Sequence, residues 1–442
     1  MRDPDGLTQL APNQVLRTLY QPLQEADFLA SPLARQWVES GRLTPFSVES
    51  STRVVSPRLP FVSFPSEWCA AQLFAAAELT LQLETEAVEA GFELKDASAW
   101  NVIFDGTLPR FCDLLSVQPL NQRLWWAGGQ FGRHFLLPLL MARHGGLTAH
   151  ECFRIWRDGV PPAAARQAIG ARRWLTRYWP LMAEAGGAQP APSDVAPADT
   201  KPVVAYRRNL HRGLDWMLAG LKPSAQPAAG RATVWGDYVN QRDHYAAGAV
   251  QSKRQTVAGW LDTVRPSWVV DLGCNSGEFS GLAANAGARV IAIDQDHDAI
   301  QQLFLQRGGD DRIFPLLAQL DDLPTGRGWA GDEFPGLQTR LHQSCDLLMM
   351  LALIHHLAIA AAVPLERIAT FAAAVSRRWL IVEWIADDDS QLQLLCAQRR
   401  RRPVDFSISR QRAAFEQAGW KVAAEAPLPS STRLLALLEQ AR

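Results

Sequence analysis

From Trp268 onward, apolar runs of strand length alternate with helix-length stretches of mixed polarity. The runs are "WVVDL", "RVIAID", "RIFPLLA", "CDLLMML" and "WLIVEW", and "LERIATFAAAVSRR" is one of the stretches between them. A strand with one wet face alternates polar and apolar positions; these runs are apolar throughout, as strands covered on both faces must be. The pattern predicts an α/β domain with a doubly wound parallel sheet and crossover helices on both faces.

Two stretches break the pattern. Ala185–Thr200 ("AGGAQPAPSDVAPADT") and Lys222–Arg231 ("KPSAQPAAGR") are rich in Ala, Pro, Gly and Ser, a linker composition. Between them, "PVVAYRRNLHRGLDWMLAGL" reads as one amphipathic helix. The expected organisation is an N-terminal α+β accessory domain over 1–184, a linker with one helix over 185–232, and the α/β domain over 233–442. No internal repeat is visible at a fixed period.

Composition agrees with more than one core, since 442 residues exceed the limit of about 250 to 300 for a single one. With 48% hydrophobic and 20% charged residues the chain reads as globular, and a formal net charge of -1 marks neither a nucleic-acid nor an anionic-membrane binder. Six scattered cysteines contain no C-x-x-C pair, which argues against a zinc site and a disulfide framework and makes a cytoplasmic location the expectation. The start "MRDPDGLTQLAPNQ" has no apolar h-region. The most apolar stretch, "MMLALIHHLAIAAAV", is short for a membrane span, carries two histidines and reads as a buried strand and helix.

The first strand-turn-helix of the α/β half carries the chemistry. A doubly wound sheet binds its ligand beyond the carboxyl ends of its strands, and the first turn makes the main contact. Here that turn runs Asp271-Leu-Gly273-Cys274-Asn275-Ser-Gly277. A dinucleotide site calls for G-x-G-x-x-G beneath a pyrophosphate. This turn has G-x-x-x-G with an acid two residues ahead, which opposes a pyrophosphate and suits a cationic amino group. A ligand with an amino-acid end, a ribose and a base but no phosphate is S-adenosylmethionine.

The stretch resembles motif I of class I methyltransferases, D/E-x-G-x-G-x-G, with Asn275 at the middle glycine; Asn is the residue that best tolerates positive φ there. The resemblance implies a Rossmann-like, seven-stranded methyltransferase domain, with Asp294 at the end of the second strand receiving the ribose hydroxyls. "LLAQLDDLPTGRGW", "CDLLMMLALIHHLAIAAAVPLERIA", "LIVEWIADDDSQLQLL", "DFSISRQRAAFEQAGWKV" and "LPSSTRLLALLE" further resemble a bacterial group of methyltransferases related to a rhizobial nodulation protein. That group often has an acid where Gln319 stands, facing the adenine; Asp321 is the alternative contact. The kinship suggests a carbohydrate or other small-molecule acceptor; charge balance and the lack of a long apolar run leave neither nucleic acid nor membrane as an expected partner.

Oxygen and nitrogen acceptors usually lose a proton on methylation, and His355 and His356, directly after the fourth apolar run, are the candidate bases. Glu383 and the Asp387-Asp388-Asp389 triplet follow the fifth run and are candidates for orienting an acceptor, the triplet reading more readily as a solvated turn and helix cap. No metal is expected. Tyr238, His244, Tyr245 and Lys253 fall on a helix ahead of the motif, which in class I enzymes often covers the methionine end of the cofactor. The basic run "QRRRRP", 398–403, reads as a solvated helix end. The competing expectation is a catalytically inactive protein that keeps the fold and binds S-adenosylmethionine.

In the N-terminal half, Asp96, Asn101 and Asp113 resemble the catalytic loop and metal-binding Asp of kinase-like phosphotransferases. No lysine precedes Lys95 and no glycine-rich loop precedes it either. The expectation is a degenerate kinase-like remnant without phosphotransfer.

Overall fold

The computed structural model describes residues 2–25, 27–120, 123–171, 176–183, 201–223, 247–400 and 405–441. The chain divides into two compact units, Met1–Ser224 and Ala225–Arg442.

The first unit opens with an antiparallel sheet of β1 (Arg2–Asp3), β2 (Gly6–Leu10), β3 (Gln14–Leu19), β4 (Ser47–Ser50) and β5 (Arg53–Pro57), in the order β1-β2-β3-β5-β4. The Ala70–Glu89 helix follows, and most of its residues are buried on every side, as its lack of a polar stripe requires. Two short antiparallel pairs complete the strands: β6 (Phe92–Leu94) with β9 (Val117–Pro119), and β7 (Val102–Asp105) with β8 (Leu108–Phe111). The core is aromatic, with Trp37, Trp68, Phe104, Phe111, Phe131, Phe135 and Phe153 fully enclosed. Trp68 and Phe104 meet edge to face at 5.0 Å, the arrangement that ring quadrupoles favour.

The amphipathic helix anticipated within the linker spans Lys201–Ala219 and packs on the Ala70–Glu89 helix within the first unit. Arg207, wholly buried, explains why: its guanidinium pairs with Glu84 from that helix at 3.1 Å and with Glu93 of β6. Hydrophobic patterning predicted the helix; the buried charge determines where it docks.

The second unit holds a seven-stranded sheet built from β10 (Trp268–Leu272), β11 (Arg289–Asp294), β12 (Ile313–Leu317), β13 (Cys345–Met350), β14 (Ser376–Ile385), β15 (Trp420–Pro427) and β16 (Arg433–Gln440). Its order is β12-β11-β10-β13-β14-β16-β15. The five apolar runs are β10 to β14, all parallel, while β16 runs antiparallel between β14 and β15. From β10 the chain builds outward through β11 and β12 and then returns to the other side of β10 as β13. The order therefore reverses at β10, the place where such sheets bind ligands. Side-chain caps start the following helices: Asp296 accepts from the Asp298 and Ala299 amides, Asp389 from those of Gln391 and Leu392, and Ser407 from that of Arg410.

Candidate functional site

At the carboxyl end of β10 the backbone enters left-handed conformations three times, at Gly273 (φ 73°), Asn275 (φ 50°) and Gly277 (φ 81°). Only glycine adopts these freely, and asparagine is the best substitute. The Asn275 Oδ1 accepts from the Ser276 amide at 2.7 Å, a local bond that holds the turn. Space constrains Gly277 as well, because a Cβ there would lie 2.3 Å from Leu303 Cδ1. The turn thus hugs β11 closely, with the Gly273 and Cys274 amides donating to the Ile293 carbonyl at 2.9 and 3.1 Å.

Two carboxylates flank the turn. Asp271 is buried beneath it and its Oδ2 accepts the Ser280 hydroxyl at 2.6 Å; burial pushes its pKa up to about 6 against the opposing pull of that bond. Asp294, at the end of β11, uses Oδ2 to accept from the Asn275 amide at 2.8 Å and Oδ1 to accept from the Asp296 amide at 2.9 Å. Burial raises its pKa, and the backbone donors hold the rise back. The ribose-binding candidate is therefore also the clasp that fixes the motif turn to the second strand. The Gln295 amide is a further backbone donor to this carboxylate. Gln319 and Asp321 are exposed just beyond β12, on the same rim.

The histidine pair stands at the carboxyl end of β13, where Ala352 takes a left-handed φ of 51° and a π-helical turn, His356–Ala360, begins. The two rings pack 4.0 Å apart at 41°. His355 is buried, and its Nδ1 has no hydrogen-bond partner among the described residues. Burial, the neighbouring ring, Arg433 and Lys253 hold its pKa well below the ordinary histidine value. Burial and then Arg433 lower that of His356 to about 4. Both imidazoles are accordingly neutral at pH 7.

Glu383 departs from the expectation of a group waiting for an acceptor. It is fully buried, with Lys253 Nζ on Oε2 at 2.5 Å and Arg433 Nη1 on Oε1 at 3.1 Å. A lone carboxylate that deep would be costly, so both its oxygens are committed to cations. Lys253, anticipated as a cofactor contact, is held by Glu383 and lies 5.1 Å from the centre of the Phe279 ring. Arg433 continues the chain, binding Asp389 in a two-pronged contact of 2.7 and 3.1 Å. Within the acidic triplet only Asp389 is buried; Asp387 and Asp388 are exposed.

Sequence reasoning missed Arg433. It opens β16, paired with Ile385 in the antiparallel register, so its side chain lies diagonally across from Glu383 on the same face. The available signal was an arginine at the head of the otherwise apolar "LLALL" run after a turn-forming "PSST". Tyr238, His244 and Tyr245 lie outside the described residues, as does the second half of the basic run, 401–403, while the helix ahead of the motif is described as Ala247–Val264. Among the described residues no group of three or more His, Cys, Asp or Glu side chains is placed to hold a metal, and no helix is long and apolar enough to cross a membrane.

In the first unit, backbone pairing draws Asp96, Asn101 and Asp113 toward one another. The β7–β8 hairpin separates the last two and returns the chain, so that the Cys112 amide donates to the Asn101 carbonyl at 2.8 Å. The Ser116 hydroxyl donates to the Asp96 carbonyl at 3.0 Å. Arg17 of β3 reaches the Cys112 carbonyl at 2.8 Å, beside Asp113.

Against known proteins, the nodulation protein NoeA of Rhizobium meliloti (strain 1021) is 31% identical over 461 residues, covering 99% of this chain and 95% of NoeA. The chain belongs to the NoeA family. No family model matches it. Among solved structures it is similar to magnesium protoporphyrin IX methyltransferase from Synechocystis PCC 6803 with bound SAH, at 16% identity over 46% of this chain and 94% of that one, with a TM-score of 0.32. It is similar also to the N-methyltransferase NodS from Bradyrhizobium japonicum WM9, at 11% identity over 44% of this chain and 98% of that one, with a TM-score of 0.33.

Proposed function

We propose that the second unit is a class I methyltransferase that moves the methyl group of S-adenosylmethionine to an oxygen or nitrogen of a small molecule, a carbohydrate being the class that the nodulation kinship favours. One observation carries this reading: the left-handed Gly273–Asn275–Gly277 turn, its two carboxylates and the imidazole pair, with His355 buried, all stand at the carboxyl ends of β10, β11 and β13, where the sheet order reverses. The sheet order, with one antiparallel strand slotted between β14 and β15, supports the same class.

The residues fit the cofactor. The left-handed turn brings its backbone to the carboxyl end of β10, Asp271 suits the amino-acid end, Asp294 the ribose, and Gln319 or Asp321 the adenine edge. When bound, S-adenosylmethionine supplies a methyl carbon activated by its sulfonium. The protein's share is position and proton handling. A neutral imidazole accepts a hydrogen bond from the acceptor's O–H or N–H and orients its lone pair. A pKa near 4 for His356 makes it a weak base, yet a newly methylated hydroxyl is acidic enough to yield its proton to it late in the transfer.

We read the first unit as an accessory domain that helps present the acceptor, in a kinase-like arrangement without phosphotransfer. The convergence of Asp96, Asn101 and Asp113 supports the likeness, and the missing phosphate-gripping lysine and glycine loop speak against the activity.

Calorimetry with S-adenosylhomocysteine tests the central claim. Binding is expected, weakened by about 1 to 3 kcal/mol in Asp294→Ala as the ribose hydroxyls lose their acceptor; binding of NAD in its place overturns the reading. Mass spectrometry of small-molecule extracts given enzyme and methyl-labelled cofactor identifies the acceptor. With that in hand, His355→Ala and His356→Ala distinguish roles: a base loses turnover and keeps cofactor affinity, whereas equal loss of both marks a structural pair.

A further inference from the structure

The buried ion chain at the rim has a centre that the catalytic proposal does not use. Arg433 lies between Glu383 of β14 and Asp389, the cap of the Ser390–Arg399 helix, and is buried with both. Through Glu383 it reaches Lys253 on the Ala247–Val264 helix, whose ammonium lies over Phe279 at the start of the helix following the motif turn. One guanidinium thus joins the acceptor side of the rim, at β14 and β16, to the cofactor side, at β10. We propose that Arg433 is a positioning residue of the methyl-transfer site, fixing Glu383 and Lys253 at the rim and setting the charge that the imidazole pair meets. The proposal rests on the methyl-transfer reading given above.

The geometry favours arginine for this task. Its planar fork spans two carboxylates at once, gripping Asp389 with two nitrogens and Glu383 with a third contact. A lysine at the same place could satisfy one partner well. Among the described residues the chain is also balanced, two cations, Lys253 and Arg433, answering two acids, Glu383 and Asp389. Among the described residues, the charged side chains whose field lowers the histidine pKa values are Arg433 of β16, acting on both rings, and Lys253 of its helix, acting on His355. Removal of Arg433 leaves Lys253 alone to answer Glu383 and Asp389, and with the repulsion of the guanidinium gone a proton on His356 becomes easier to hold.

The test uses the full chain and two readouts, calorimetric affinity for S-adenosylhomocysteine and the titration of the His355 and His356 ring protons by nuclear magnetic resonance, assigned with His355→Gln and His356→Gln. In the wild type both rings are expected to titrate below the ordinary histidine range, His356 near 4. Arg433→Met is expected to raise the His356 midpoint by at least one pH unit and to weaken S-adenosylhomocysteine about tenfold. Arg433→Lys keeps the charge and breaks the fork, so affinity should fall severalfold while the histidine midpoints stay put; it decides the matter if the Met variant does not fold. A merely structural arginine would lower the melting temperature and leave both midpoints and affinity as they are, and that result overturns the proposal. A wild type that fails to bind S-adenosylhomocysteine at all overturns the methyl-transfer reading itself, a separate outcome.

Discussion

Each unit buries one arginine between two acids, and the two arginines do different work. Arg207 in the first unit binds Glu84 and Glu93, with His211 3.4 Å from Glu84 and the Leu124 carbonyl taking a further hydrogen bond. Its partners come from a helix and an edge strand, and the contact fastens a third element, the Lys201–Ala219 helix, onto them. Arg433 in the second unit binds Glu383 and Asp389 at the rim of a parallel sheet, with two imidazoles and a lysine beside it. Coulomb attraction and desolvation are the same in both places. What differs is the address: enclosed by packed elements, an ion cluster specifies docking; at the carboxyl ends of parallel strands, it sets the charge of a site.

The largest effect should separate the two. Arg207→Met leaves two carboxylates buried without their cation and should cost the first unit about 3 to 5 kcal/mol in urea unfolding, with S-adenosylhomocysteine binding intact. Replacing Arg207, Glu84 and Glu93 together by apolar residues of similar volume should restore most of that loss, as breaking a buried cluster costs more than deleting it. An Arg207→Met protein as stable as the wild type would mean that the cluster is not closed in solution.

A second prediction concerns acid. His356, near 6.5 when unfolded and about 4 when folded, takes up its proton in the unfolded chain first. Stability from this group is complete above pH 6.5 and is lost as the pH falls toward 4, by about 3 kcal/mol at most. Asp271 works in the opposite sense. Its folded pKa of about 6 exceeds the unfolded value of about 3.9, so the folded state binds the proton first and gains stability over nearly the same interval. The two offset one another in the wild type. Asp271→Asn removes the offset and should steepen the stability loss of the second unit between pH 6 and 4 by about 2 kcal/mol, read from denaturant midpoints at each pH. An unchanged slope would refute the assigned burial of Asp271.

A smaller change is expected at the motif turn. Asn275→Ala forces an alanine into φ 50° and should cost about 1 kcal/mol, whereas Asn275→Gly should be nearly neutral. The smallest expected effect is none. The intact protein with magnesium and ATP should show no hydrolysis above background, and Asp113→Asn should leave methyl transfer untouched, since two metal-holding groups without a phosphate grip leave the triphosphate charge unpositioned. Hydrolysis that vanishes in Asp113→Asn would establish a working kinase-like site in the first unit.

What was readable in the sequence follows from how local each signal is. The runs that became β10 to β14 are apolar end to end because both of their faces are covered, and a window of six residues reveals that. Asp271, Gly273, Asn275, Gly277 and Asp294 lie within 24 residues, on one strand-turn-helix-strand unit whose backbone geometry demands those residue types. Arg433 is 180 residues from Lys253 and 50 from Glu383, and only the antiparallel register of β16 brings them together; no local pattern encodes such a meeting. The first unit was harder for another reason. Its strands are short and mostly antiparallel, and β4 is exposed at every position, so hydrophobic periodicity has little to mark there.

The slotting of β16 between β14 and β15 also bears on how the second unit folds. β15 precedes β16 in the chain yet has no place in the sheet until β16 has paired with β14 along its whole length. The two strands and the turn between them therefore join the parallel sheet as one unit, through the non-local pairing of β16 with β14. Arg433 travels with that pairing. A folding intermediate that stops short of it holds Glu383 and Asp389 without their shared cation, so the arrival of the last strand and the completion of the rim are a single event.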